Sequence, residues 1–169
     1  MTQTHNANRE KAQSILRMAG ITQAPVDLER VAASLDFNIL PFPFPDKRRG
    51  MVLIENGNKT IGVNKNHPLT LQRFTISHEL GHYLNGHQHF DNQFINDESK
   101  YYDPHYQQEK EADAFAAELL MPKDFLEKDL SELGLEIDKL TEKYQVSEQA
   151  LWIRLTTLRL ADKYSAMKK

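Results

Sequence analysis

Residues 78–82 read His-Glu-Leu-Gly-His, inside a stretch whose apolar residues Leu71, Phe74, Leu80, Tyr83 and Leu84 recur at helical intervals. Each residue of a helix turns about 100°, so positions i and i+4 share a face one turn apart. Two imidazoles at that spacing converge on a point that one ion can occupy, about 2.0–2.1 Å from each nitrogen if the ion is zinc. Glu79 is rotated beside them. It is not aimed at the ion, but it can take a proton from a water whose pKa such an ion lowers toward about 7, as a general base. The motif requires a helix over about 69–84, stopped by Asn85-Gly86, and it requires a partner that completes the site. The plainer reading, an exposed helix turn with two unremarkable histidines, requires nothing of the rest of the chain.

Composition decides what that partner can be. The 169 residues include no cysteine, which removes thiolate ligands, iron–sulfur clusters, disulfides and cysteine nucleophiles. A third ligand must then be His, Asp or Glu. Extension to H-E-x-x-H-x-x-G-x-x-H would need glycine at 85 and histidine at 88, where the chain has Asn85 and Gln88. What remains is a carboxylate from a second helix, and residues 107–120 (QQEKEADAFAAELL) form one. Glu109 and Asp113 are i and i+4 on it. A ligand glutamate there can be followed, one turn later, by an aspartate that steadies a ligand histidine through its other ring nitrogen. Ala112 and Ala116 border that face and are small enough for two helices to approach closely. Glu111 competes as ligand, but it points about 200° away from Glu109, and the geometry favours Glu109.

The surrounding pattern is α+β. Residues 8–19 place Ala12, Ile15, Leu16 and Ala19 at helical spacing before Gly20, and Asp27 is a natural N-cap for a second helix carrying Leu28, Val31, Ala32 and Leu35. Residues 37–40 alternate as a short strand. Residues 41–50, with prolines at 41, 43 and 45, read as a loop, since prolines at alternate positions cannot join a central strand. Residues 51–54 and 60–63 flank Asn56-Gly57-Asn58, a hairpin signal. The polar stretch 87–106 reads as a long loop, Pro122 opens another helix, and helices over about 137–145 and 148–161 follow. The expectation is a short antiparallel sheet followed by helices, with a catalytic domain over 1–133 and a helical pair over 134–169.

RFTISHELGHYLNGH (73–87) and EKEADAFAAELLMP (109–122) together closely resemble the ImmA/IrrE family of zinc metallopeptidases. That family has a gluzincin-like H-E-x-x-H helix and a downstream E-x-x-A-[ND]-x-F-A-x-x-L-L-M-P helix. Glu109, Ala112, Asp113, Phe115, Ala116, Leu119, Leu120, Met121 and Pro122 match the second pattern throughout. The PVDL segment at 25–28 and the Ile61, Val63, Asn64 strand are also similar, so the likeness covers roughly residues 10–125. It implies His78, His82 and Glu109 as ligands of zinc, Glu79 as the catalytic base and Asp113 as the partner of a ligand histidine. It further implies a bacterial or phage protein that cleaves or disables a helix-turn-helix repressor encoded beside it. The alternative is a metal-stabilised regulator that does not cut and acts by binding a partner protein or DNA.

Lys and Arg number 21 against 24 Asp and Glu, a net charge of −3, which argues against a protein dominated by phosphate contacts. No apolar run approaches the ~20 residues that cross a bilayer. The first ten residues lack the basic-then-apolar order of a secretory signal, so a cytoplasmic location is expected. Residues 137–160 read helix, turn, helix and resemble the helix-turn-helix-like portion of that family. Seven basic and four acidic residues over 137–169 are too slight an excess to imply nucleic-acid contact, and packing on the catalytic domain or a partner is the expectation. His87, His89 and His105 read as solvated loop histidines. His105, Tyr101, Tyr102 and Tyr106 are the candidates for an oxyanion donor. Arg73 reads as a helix-surface cation, and strand 60–63 as an edge that could hold an extended peptide.

Overall fold

A computed structural model describes residues 3–44, 48–87 and 104–165. Helix α1 (Gln3–Met18) buries Ala12, Ile15 and Leu16. Its chain is turned by Gly20 at φ +67°, a conformation that glycine adopts without penalty. Asp27 caps α2 (Leu28–Ala33), its Oδ1 accepting from the Arg30 N–H at 3.1 Å.

Three strands follow: β1 (Phe37–Phe42), β2 (Gly50–Glu55) and β3 (Asn58–Asn64). Asn56 and Gly57 both have positive φ, 50° and 82°, and they close the β2–β3 hairpin in two residues. A tight turn of that kind requires this backbone, which is why Asn-Gly is so strong a signal. Two expectations change here. The hairpin is antiparallel, but β1 pairs with β3 in parallel, so the sheet is mixed, in the order β1-β3-β2. Strand β1 also runs on through Pro41 to Phe42. Proline is tolerated there because β1 lies at an edge of the sheet. Strand 60–63 is therefore central, with both of its sides already paired, and β2 is the edge next to the H-E-x-x-H helix. A Cβ built on Gly50 would lie 2.5 Å from Thr75 Cγ2 and 3.9 Å from Glu79 Cγ, so the start of β2 is pressed onto that helix.

Helix α3 (Leu69–Asn85) ends at Gly86, which is left-handed at φ +67°. Helix α4 (Pro104–Leu120) begins three residues before the expected 107 and runs antiparallel to α3. Gly81 and Ala112 set their separation: a Cβ on Gly81 would lie 3.0 Å from both Cα and O of Ala112. Helices α5 (Lys123–Leu133), α6 (Ile137–Tyr144), α7 (Glu148–Thr157) and α8 (Leu160–Ser165) complete the described chain. The helix expected over 148–161 is broken at Arg159, φ +57°. In a straight helix Leu160 and Tyr164 would point about 140° and 180° away from Leu155. The turn brings both into the core, where they are 2% and 9% exposed.

The last helices share one apolar core with the first. Arg154 of α7 is buried. It donates through both terminal nitrogens to Glu118 of α4, at 2.8 and 2.5 Å, and through Nε to the Met121 carbonyl at 3.0 Å. Buried Asp129 of α5 accepts from Lys143 Nζ at 2.6 Å and Tyr144 O–H at 2.8 Å. Burial, with Asp129 alongside, pushes the Tyr144 phenol well above its ordinary range. Among the described residues no helix is long and apolar enough to cross a membrane.

Candidate metal centre

The antiparallel α3–α4 pair brings together one ligand-type atom from each of His78, His82 and Glu109, all within 4.8 Å of one another. The two Nε2 atoms are 2.9 Å apart. Glu109 Oε2 lies 3.3 Å from His78 Nε2 and Oε1 lies 3.2 Å from His82 Nε2. Glu111 does not join this group. The donor set, two imidazoles and a carboxylate on a half-open face, suits zinc and leaves a coordination position free. Hydrogen bonding supports the fit, since Asp113 Oδ1 is 2.8 Å from His78 Nδ1. With an ion bound, Asp113 would hold the proton on Nδ1 and leave the Nε2 lone pair to the ion.

The cluster is electrostatically coupled. Burial works against a charged His78, but its hydrogen bonds to Asp113 and Glu109 prevail and raise its pKa to about 9. Hydrogen bonds from His78 and His82 hold the Glu109 carboxyl well below the usual range. Glu79 sits in the middle of α3, partly buried. Burial raises its pKa, the His78 and His82 charges oppose that, and the Glu109 charge adds to it. A carboxylate made more basic in this way is suited to accepting a proton.

Several residues lie elsewhere than expected. His87 is not a solvated loop residue but is 9% exposed. Its Nδ1 is 3.1 Å from His82 Nδ1 and its Nε2 is 3.2 Å from Glu111 Oε2. Burial lowers its pKa. The one signal in the sequence for this placement is that His87 directly follows the helix-stopping Gly86. Arg73 is buried as well. It donates from Nη2 to the Val26 carbonyl at 2.8 Å and ties α3 to the segment before α2. Burial lowers its pKa, against the pull of Asp27. Of the oxyanion candidates, Tyr101, Tyr102 and the side chain of His105 fall outside the described residues, as does His89. Tyr106 is described, with Lys110 Nζ 4.3 Å from its ring centroid.

A small mixed sheet on an H-E-x-x-H helix, crossed by a helix that carries glutamate, defines a metallopeptidase-type domain. The chain belongs to the IrrE N-terminal-like domain family, Peptidase_M78, whose model matches residues 32–156. No curated protein matches it. Among solved structures it is similar to a Mycobacterium tuberculosis transcriptional regulator, with a TM-score of 0.66 and 16% sequence identity, covering 89% of this chain and 46% of that one. The chain thus spans just under half the length of that regulator.

Proposed function

We propose that the protein is a cytoplasmic zinc endopeptidase that makes limited cuts in a partner protein, a helix-turn-helix transcriptional repressor. The observation that carries this reading is the convergence of His78 Nε2, His82 Nε2 and the Glu109 carboxylate beside Glu79. His78, His82 and Glu109 would hold the ion. When bound, zinc supplies Lewis acidity toward a carbonyl oxygen and acidifies water. Glu79 takes the proton from the attacking water and passes it to the leaving amine, a role its raised basicity suits. Asp113 keeps the His78 proton on Nδ1.

The substrate backbone is best met by β2. Pairs beside a two-residue turn exchange both hydrogen bonds, and alternate pairs follow suit. Glu55, Leu53 and Met51 therefore turn their polar groups toward β3, leaving those of Gly50, Val52 and Ile54 on the open edge. An extended segment pairing there would run past Gly50 to Glu79. Edge pairing reads backbone alone, so selectivity has to come from a second surface, and we assign that role to the helices of 134–169. The resemblance in fold to a transcriptional regulator supports a regulatory client.

The test is to mix the zinc-loaded protein, and its Glu79→Gln variant, with the helix-turn-helix repressor encoded beside its gene. One or a few defined cuts by the wild type alone support the reading. Binding of the repressor or of DNA by the zinc-loaded wild type, with no cut, would instead establish the metal-stabilised, non-catalytic regulator.

A further inference from the structure

A histidine that offers Nε2 to an ion must have its proton on Nδ1, and something has to keep it there. For His78 that group is Asp113. For His82 it is a second imidazole: His87 Nδ1 at 3.1 Å, with Glu111 Oε2 3.2 Å beyond it on His87 Nε2. One proton arrangement makes every contact in this row a hydrogen bond and leaves His82 Nε2 bare. His87 Nε2–H donates to the Glu111 carboxylate, and His82 Nδ1–H donates to His87 Nδ1. Reversing the second bond would put the His82 proton on Nε2, where it would block coordination.

We infer that His87 and Glu111 form a relay that fixes the tautomer and ring orientation of His82 for zinc, rests on the reading of His82 as a ligand, and makes His87 a positioning residue. His87 is not itself a fourth ligand, because both of its ring nitrogens are engaged in the row.

The surroundings hold this row in place. Left-handed Gly86 folds the chain back, so that the His87 N–H donates to the His82 carbonyl at 3.0 Å. Glu111 Oε1 accepts from Gln107 Nε2 at 2.7 Å. Helix α1 braces both ends: Asn8 Nδ2 donates to the Glu111 carbonyl at 3.1 Å, and Lys11 Nζ donates to the Leu84 carbonyl at 3.2 Å. On its Nδ1 side each histidine of the H-E-x-x-H motif is thereby keyed to a different α4 carboxylate, His78 directly to Asp113 and His82 to Glu111 through His87.

The experiment measures zinc affinity of the full chain by competition with a chromophoric chelator. His87→Ala should weaken binding about 10–100-fold. His87→Gln should restore most of the loss, because its amide oxygen can accept from His82 Nδ1–H. Glu111→Gln should cost less than about tenfold alone and nothing further on top of His87→Ala, since Glu111 acts through His87. Wild-type affinity in His87→Ala, or losses from the two substitutions that multiply, would overturn the relay. If His87→Ala does not fold, Glu111→Gln decides alone, and unchanged zinc affinity there overturns it. His82→Ala that still binds zinc like the wild type would instead overturn the ligand assignment beneath it.

Discussion

Replacing Gly81 by alanine tests whether the α3–α4 contact sets the metal site. In a helix interior the change is favourable by about 1 kcal/mol, because glycine has more backbone entropy to lose. Here the new methyl would lie 3.0 Å from Ala112 Cα, 3.0 Å from Ala112 O and 3.1 Å from Phe115 Cδ1. Ala112 and Phe115 are fully buried, and two of the three contacts are backbone. Relief therefore means moving α4 away by about 0.4 Å, and overpacking of this kind costs about 1–3 kcal/mol. The net is a loss of up to about 2 kcal/mol. The larger effect should fall on the ion. His78 and His82 stand on one helix and Glu109 on the other, and ligand distances tolerate only about ±0.2 Å. Zinc affinity should drop about 10–100-fold, on the scale of losing an outer hydrogen-bond partner. Urea unfolding of the chelated protein gives the first quantity and chelator competition the second. A Gly81→Ala protein that is about 1 kcal/mol more stable and binds zinc normally would refute the reasoning.

Glu79→Gln should keep about one zinc per chain by elemental analysis while losing about 10²–10⁴-fold in cleavage rate; loss of the metal instead would make Glu79 a ligand. Arg154→Ala strands the buried Glu118 charge and should cost about 3–5 kcal/mol in urea unfolding, whereas Glu118→Leu with Arg154→Leu should recover most of it. A cost under about 1 kcal/mol would mean the pair does not hold α7 to α4. In the metal-free protein the raised His78 pKa contributes stability that is complete below its ordinary 6.5 and is lost as pH rises through about 9. Allowing for the water around half-exposed Glu109 and Asp113, the chelated protein should weaken by about 1–2 kcal/mol across that window. His78→Gln should flatten the slope; an unchanged slope assigns it to another group.

Features that depend on a few consecutive residues were legible in the chain itself. The i, i+4 spacing of His78 and His82 and of Glu109 and Asp113, the Asp27 cap, the Asn56-Gly57 turn and the Gly86 stop all follow from backbone geometry within one or two turns. That is enough to name the candidate donors and to prefer Glu109 over Glu111. The features that were not legible involve partners far apart in sequence. Strand β1 pairs parallel to β3, which among the described residues leaves β2, not β3, at the edge of the sheet beside Glu79. Arg73 is buried and donates a hydrogen bond to the Val26 carbonyl, 47 residues earlier. Arg154 meets Glu118 across 36 residues, and the helix breaks at Arg159 because the core needs Leu160 and Tyr164 on one side. His87 looked like a loop residue since nothing local says that Glu111, on another helix, awaits its far nitrogen. Periodicity tells which face of an element is apolar, but the rotation of one element against another is set only when they pack, and at Gly81 against Ala112 that packing decides which side chains meet.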